Sequence, residues 1–183
     1  SPSEDEFFAY IYAILFSISY RDRYDEYLRK NFPRIPITKH KKHFEEMSDL
    51  GQQLMDAHLL KVPISHKFET SVNTASWKIY DLNYIPQKQC LYFDDPEKNA
   101  QSPWIRGITP EMWTFEIGTI PQLQQFLQSR TFSEEYQWNS LTRKLNHQEL
   151  NYFLKMCTAI AQTLDLLPKI DKVYQKIDNL SIE

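Results

Sequence analysis

The stretch RKNFPRIPITKHKKH, residues 29–43, lies between two helical patterns and is the most one-sided part of the chain in charge. It holds six basic side chains and no acidic one, although the 183-residue chain has a formal net charge of -3. Pro33 and Pro36 cannot lie inside a helix, because proline lacks a backbone donor and clashes with the preceding turn. The sequence therefore predicts a stiff joint between two helices, which we call the basic segment.

The charge of the basic segment indicates an anionic partner, and a phosphate backbone is the obvious one. A basic loop that is merely solvated is the alternative that charge alone leaves open. The candidate phosphate-contacting residues are Arg29, Lys30, Arg34, Lys39, Lys41 and Lys42.

Length and composition predict one domain, residues 1–183, with one sizeable core in one lobe or two, because 42% of the chain is hydrophobic and only three residues are glycine. The chain starts at Ser1, so we expect it to be a piece of a longer polypeptide. No apolar run approaches the ~20 residues of a membrane span, and acidic residues precede the apolar stretch at residues 7–18. These features predict a cytoplasmic location without membrane contact.

Helical spacing dominates the first third of the chain. Ser3 and Glu6 form a capping box before a helix predicted at about residues 5–16. Ser19 is the expected cap of a second helix, which Phe32 and Pro33 are expected to close, and a third is predicted at about residues 40–60.

Two features of these helices have both a structural and a functional interpretation. Tyr20, Tyr24 and Tyr27 form a stripe that could stack on bases, but this spacing is more typical of a core. His58 on the third helix is expected to be a hydrogen-bonded core histidine rather than a ligand.

From Trp77 the pattern of side chains alternates with a period of two residues, and residues 90–93 form another β-prone run. The two runs predict a hairpin with Pro86 in its connection. Thr109 and Pro110 look like a helix start or turn, but alternation of Trp113, Phe115 and Ile117 predicts a further strand that ends at Gly118.

The last third returns to helical patterns. Pro121 fits the start of a helix, and residues 132–145 are expected to hold at most a marginal strand or hairpin. Asn146 and Glu149 form a capping box for a long helix that Pro168 is expected to stop or kink, followed by a terminal helix.

The predicted fold class is therefore α+β and mainly helical, with a small central antiparallel sheet. Its parts are a helical N-terminal part at residues 1–62, the sheet at residues 63–118 and a helical C-terminal part at residues 119–183.

Motifs for catalysis are missing from the sequence. It has no glycine-rich phosphate loop, no G-x-S-x-G and no H-E-x-x-H. Asp94 and Asp95 are interpreted as part of a solvated acidic loop, and His40 and His43 lack the further ligands of a zinc site. Cys90 and Cys157 are expected to be buried thiols. We expect this chain not to be an enzyme by itself; an independent hydrolase would require metal-dependent turnover.

Four segments resemble a known family. Residues 6–37, EFFAYIYAILFSISYRDRYDEYLRKNFPRIPI, resemble the helix-helix-"PRIP" signature downstream of the methyltransferase region in type ISP restriction-modification enzymes and related adenine-N6 methyltransferases. Residues 49–60, 110–130 and 151–171 resemble later family segments in the same order. The chain departs from the family pattern at Glu116, Thr119, Ile120 and Phe126.

This resemblance implies a C-terminal specificity domain, the target-recognition part of a prokaryotic polypeptide that also carries nuclease, helicase-like translocase and methyltransferase domains. Its partners would be double-stranded DNA and those domains. S-adenosylmethionine, ATP and magnesium would bind the other domains, and no cofactor would bind this one.

Base reading needs side chains that match the groove edges, and arginine, lysine, asparagine and glutamine pair with guanine and adenine. Polar hairpin tips are, however, common on any soluble protein. The candidate base-contacting residues are Lys78, Asn83, Gln87, Lys88, Gln89 and Arg106.

The alternative is an interaction module that docks on the methyltransferase or the motor and touches little DNA. The net charge of -3, the pI of about 6.0 and the 14% aromatic content favour it over an autonomous DNA binder.

Overall fold

The computed structural model confirms an α+β, mainly helical fold with a small antiparallel sheet. It describes residues 2–65, 67–71, 76–131 and 145–180. The chain forms two compact units. The helical unit comprises Ser1–Val62 and Ala161–Glu183, and the sheet unit comprises Pro63–Ile160. No helix in the described part of the chain is long and apolar enough to cross a bilayer.

The helical unit is built from the first four helices and the second half of the last one. The first four are α1 (Glu4–Phe16), α2 (Ile18–Arg23), α3 (Asp25–Leu28) and α4 (Lys41–His58). The last helix, α7 (His147–Leu180), begins in the sheet unit. Residues 32–39 form neither helix nor strand, as the two prolines of the basic segment predicted.

Helices α1 and α4 meet at a backbone contact. A Cβ atom built on Gly51 of α4 would lie 1.9 Å from the carbonyl oxygen of Ala9 in α1. Such an approach is open only to glycine, because any side chain would force the helices apart. Around this crossing, Tyr10, Ile14 and Met47 are fully buried.

Helix α7 continues through Pro168, so a stop at this proline and the separate terminal helix were wrong, while the alternative, a kink, stays a prediction. An interior proline costs a helix about 3 kcal/mol. Beyond it, Ile170, Val173, Tyr174 and Ile177 are buried in the core of the helical unit. Burying one such side chain stabilises the fold by about 1.5–3 kcal/mol, so four together outweigh the proline.

The capping box of α1 is confirmed, since the Ser3 hydroxyl accepts from Glu6 N and Ser3 N donates to the Glu6 carboxylate. The expected cap of α2 was wrong, because Ser17 and not Ser19 lies at its N-cap. Ser17 Oγ accepts from Tyr20 N and donates to the Asp171 carboxylate, which also accepts from Ser19 N. A carboxylate distant in sequence thus decides which serine caps the helix.

His58 is a hydrogen-bonded histidine of the helical unit, as expected. Its Nδ1 lies 2.7 Å from the Tyr12 hydroxyl, and its Nε2 lies 3.1 Å from Thr163 Oγ1. Burial lowers the pKa of the imidazole.

Within the described residues, the sheet unit contains eight short strands, two short helices and the first half of α7. Its four-stranded sheet has the order β1-β5-β4-β3, and two separate strand pairs are β2 with β8 and β6 with β7. The strands are β1 (Glu69–Thr70), β2 (Ser76–Trp77), β3 (Asn83–Ile85), β4 (Cys90–Tyr92), β5 (Trp104–Arg106), β6 (Glu116–Ile117), β7 (Ile120–Pro121) and β8 (Leu145–Asn146). The helices are α5 (Pro110–Trp113) and α6 (Gln122–Gln128).

The predicted hairpin is formed by β3 and β4, and Pro86 lies in the 3-10 turn between them. Its first strand begins at Asn83, because Trp77 pairs with Leu145 instead. Most of residues 132–145 lie outside the described residues, and the expectation of a marginal strand or hairpin there is tested only at Leu145.

The strand expected through Trp113 was wrong. Thr109 Oγ1 accepts from Met112 N and Pro110 occupies the first turn, so a helical turn carries Trp113, and the strand covers only Glu116–Ile117. The strand ends before Gly118, as expected. Gly118 has a φ of +67° in the turn to β7, a backbone conformation that favours glycine.

The start of α7 is fixed by an ion pair to the residues that follow α6. Asn146 and Glu149 form the expected capping box, and the Glu149 carboxylate also binds Arg130 Nε at 3.1 Å. The Arg130 guanidinium lies 3.7 Å from the centre of the Phe126 ring. Cys90 and Cys157 are buried free thiols in this unit, as expected.

Replacing Gly51 with alanine is expected to destabilise the protein by about 1–3 kcal/mol, although alanine favours a helix by about 1 kcal/mol over glycine. The added methyl group would overlap the Ala9 carbonyl. Urea unfolding followed by circular dichroism measures the change. Gln52→Ala, an exposed position on the same helix, is the control and should leave the free energy of unfolding nearly unchanged. Equal or greater stability of Gly51→Ala would contradict the backbone contact.

Candidate nucleic-acid interface

The backbone of the basic segment is held by two buried tyrosines. The Tyr20 hydroxyl donates to the carbonyl oxygen of Arg34 at 2.9 Å. The Tyr10 hydroxyl donates to the carbonyl oxygen of Pro36 at 2.6 Å and accepts from Thr38 N at 3.3 Å. Ile35, between these anchors, packs against the core of the helical unit. The tyrosine stripe is therefore partly a device that fixes the joint, and Tyr20 is core rather than a base-stacking surface.

Burial raises the pKa of both hydroxyls above the ordinary value for tyrosine. Tyr10 and Tyr20 therefore stay protonated around neutral pH and keep donating to the segment.

All six candidate phosphate-contacting residues are exposed, but three of them have partners. Arg29 binds Asp25 at 2.9 Å, and Lys41 binds Glu45 at 3.5 Å. The Arg34 guanidinium lies 5.4 Å from the centre of the Tyr27 ring. Exposed ion pairs one helical turn apart are weak, about 0.3–0.5 kcal/mol, so they leave the charges available to a stronger anion.

Lys30, Lys39 and Lys42 form no ion pair with the residues that the structure describes. Lys39 precedes α4, and Lys41 and Lys42 lie in its first turn. Positive charge there opposes the helix dipole. The N-cap residue His40 makes no side-chain hydrogen bond to the helix, within the described residues. The start of α4 therefore combines free backbone donors with lysine side chains, an arrangement that suits an anion.

His40 and His43 lie close together, with ring centres 5.5 Å apart, and His43 Nδ1 is buried without a hydrogen-bond partner among the described residues. Among all the residues that the structure describes, no three His, Cys, Asp or Glu side chains are grouped so that they could hold a metal ion. The acidic loop is held internally, with Asp95 bound to Lys98 at 2.9 Å.

Part of the base-contacting set meets at one end of the four-stranded sheet. Gln87, Lys88 and Gln89 form the exposed tip of the β3-β4 hairpin. The carbonyl oxygen of Gln89 accepts from Gly107 N at 2.9 Å, and Cys90 pairs with Arg106 in the ladder. Arg106 therefore lies beside the hairpin tip.

The other two base candidates lie elsewhere in the sheet unit. Asn83 is at the opposite end of β3, opposite Tyr92, and its amide donates to Asp81. Lys78 is partly buried between β2 and β3. The six cations thus belong to the helical unit, and the six base candidates belong to the sheet unit.

Sequence reasoning missed two aromatic residues in these regions. Phe32 was assigned to the end of a helix, yet its side chain is 92% exposed within the basic segment. An aromatic residue placed directly before a proline and among cations was the available signal. Trp104 lies under Arg106, with the guanidinium 4.7 Å from the ring centre, and the period-two pattern around it was not recognised.

A family model for the Type ISP C-terminal specificity domain matches residues 1–156 of the chain. No curated protein matches it.

Three solved structures have a similar fold. A nuclease-deletion mutant of the Type ISP restriction-modification enzyme LlaGI, in complex with a DNA substrate mimic, is 21% identical with a TM-score of 0.63 over 91% of this chain. The ATP-dependent Type ISP restriction-modification enzyme LlaBIII bound to DNA is 20% identical, with a TM-score of 0.64 over 93%. A DrdV-DNA complex is 19% identical, with a TM-score of 0.67 over 93%. This chain spans 14%, 12% and 18% of those chains, respectively.

Replacing Tyr20 with phenylalanine is expected to cost about 0.5–1.5 kcal/mol of unfolding free energy, because the Arg34 carbonyl loses its buried donor. The loosened segment should also be cut faster by trypsin after Arg34. Tyr27→Phe is the matched control, since the Tyr27 hydroxyl makes no hydrogen bond to the described residues. Unchanged cleavage after Arg34 in Tyr20→Phe would show that this bond does not hold the segment.

Proposed function

The chain belongs to the family of Type ISP C-terminal specificity domains, and we propose on that basis that it recognises the DNA target of a restriction-modification enzyme. It acts as one specificity domain that positions duplex DNA for an adenine-N6 methyltransferase and a helicase-like motor in the same polypeptide. The observation that carries the proposal is the basic segment, a run of exposed cations on a backbone fixed by Tyr10 and Tyr20.

Phosphate contacts come from the helical unit. Lys39, Lys41 and Lys42 are the strongest candidates, because they surround the uncapped start of α4. Arg29, Lys30 and Arg34 add to the positive electrostatic potential of the basic segment, although Arg34 also packs on Tyr27. These contacts set affinity and register and carry no sequence information.

Base contacts come from the sheet unit. The tip formed by Gln87, Lys88 and Gln89, with Arg106 beside it, offers amide and cationic groups of the types that pair with adenine and guanine. Arg106 is preoriented by Trp104 and by Glu69, whose carboxylate lies 3.5 Å from its guanidinium. Lys78 and Asn83 are the weaker members of the set, because both are partly buried.

The chemistry belongs to other domains under this proposal. This chain carries no catalytic step and holds no cofactor, while S-adenosylmethionine, ATP and magnesium bind the methyltransferase and the motor. The DNA complexes of LlaGI, LlaBIII and DrdV support a DNA partner for this fold. The enzyme would act in the cytoplasm of a prokaryotic cell.

A second candidate function is docking on the methyltransferase or the motor with little DNA contact. The exposed apolar side chains of the first two helices favour it, since Phe8 is 59% exposed and Ile18 is 47% exposed. Exposed apolar groups of this kind are common at protein interfaces.

Replacing Lys39, Lys41 and Lys42 together with alanine should weaken binding to every duplex sequence. The slope of log affinity against log salt should flatten by about 0.9 for each phosphate that the variant no longer binds. Titration of labelled random duplexes across a salt series, with the full-length protein, measures both effects.

The matched control for the lysine variant removes three other exposed lysines, Lys155, Lys169 and Lys172, all on α7. It changes the net charge equally and should leave the slope unchanged. If both triple variants gave the same slope of log affinity against log salt, the proposed phosphate contacts of Lys39, Lys41 and Lys42 would be wrong.

Replacing Lys88 with alanine should relax the sequence preference, by about 1–3 kcal/mol if the side chain makes a base contact. Binding of duplexes that differ at single positions measures this discrimination. Lys155→Ala, an exposed lysine of the same unit, should leave it unchanged. A docking module would show no change in preference with either variant.

A further inference from the structure

Phe32 is the most exposed of the large apolar side chains that the structure describes, at 92%. Single exposed apolar residues are common on proteins and need no explanation by themselves. Phe32 differs in its setting, because Lys30 and Arg34 flank it and both are exposed. The ring therefore lies in the middle of a cationic loop.

The loop on both sides of Phe32 is fixed by hydrogen bonds. Before it, Lys30 N and Asn31 N donate to the Tyr27 carbonyl oxygen at 3.1 and 2.9 Å. After it, Pro33 restricts the backbone, and the Arg34 carbonyl oxygen is held by the Tyr20 hydroxyl. The structure thus presents an apolar ring to solvent from a backbone that is anchored at both ends.

An aromatic ring between cations matches the chemistry of a nucleobase between phosphates. The ring stacks on a base face while the charges bind the backbone on either side. Apolar wedges of this kind enter between base pairs and unstack them. Phe8, the other strongly exposed phenylalanine among the described residues, lies instead among the acidic residues Glu4 and Asp5, where a phosphate backbone would be repelled.

We propose that Phe32 is a stacking wedge, which inserts against a base at one step of the bound duplex while the neighbouring cations hold the adjacent phosphates. This inference rests on the proposed function, since it requires that the basic segment contacts DNA. It adds a non-polar contact that unstacks the duplex, which charge alone would not supply.

The test places 2-aminopurine at successive positions of the tightest-binding duplex selected from a random pool. With the full-length protein, fluorescence should rise at one base step, because an unstacked 2-aminopurine emits more strongly. Phe32→Ala should abolish this rise and weaken binding by roughly 5- to 150-fold, the range for removal of one base stack. Its salt slope should stay unchanged, because no charge is removed. Phe32→Leu, which keeps an apolar wedge, should retain part of the rise.

Leu59→Ala, at an exposed apolar position of the same unit, is the control and should alter neither the fluorescence nor the affinity. If the lysine variants weaken binding while Phe32→Ala leaves both fluorescence and affinity unchanged, the wedge is overturned and the DNA contact stands. If the lysine variants also leave binding unchanged, the proposed function itself fails. Loss of thermal stability in Phe32→Ala without any change in fluorescence would assign the ring to a protein contact and would also overturn the wedge.

Discussion

Two hydroxyl groups hold the segment on which the proposed function of this chain depends. Tyr10 and Tyr20 are buried in the helical unit, and each donates to a carbonyl oxygen of the Pro33–Pro36 stretch, at 2.6 and 2.9 Å. Each bond contributes only about 1 kcal/mol, but both act on a segment that has no secondary structure to support it. Without them, Arg34, Lys39 and the exposed Phe32 would lie on a loose loop, and ordering that loop on DNA would cost conformational entropy.

Local signals predicted much of the fold. The Ser3 capping box, α4, the Pro86 hairpin and the buried cysteines all follow from residues close together in sequence. The misses had distant causes. Asp171 selects Ser17 as a cap from more than 150 residues away, and burial of the end of α7 carries the helix past Pro168. At Trp113 two local signals competed, and the Thr109 cap with Pro110 prevailed over the period-two pattern.

The sequence identified most residues of the candidate site, but not the contacts that hold them in place. Charge identified the basic segment, and the i,i+4 spacing of Asp25 with Arg29 and of Lys41 with Glu45 is readable from the sequence. The sequence could not show that Tyr20 fixes the Arg34 backbone. The hairpin tip was expected, whereas its neighbour Arg106 depends on the register of β4 with β5. The proposed function places affinity and sequence reading on side chains of different units, which agrees with the general division between phosphate and base contacts.

The central claim is that this chain selects the DNA sequence on which its enzyme acts. The most direct measurement replaces the corresponding segment of a related Type ISP enzyme with this chain and determines which sequence the chimera methylates. We predict that the methylated sequence changes from that of the host. A chimera that methylates the host's own sequence at the host's rate would contradict this claim and would leave this chain as a docking module.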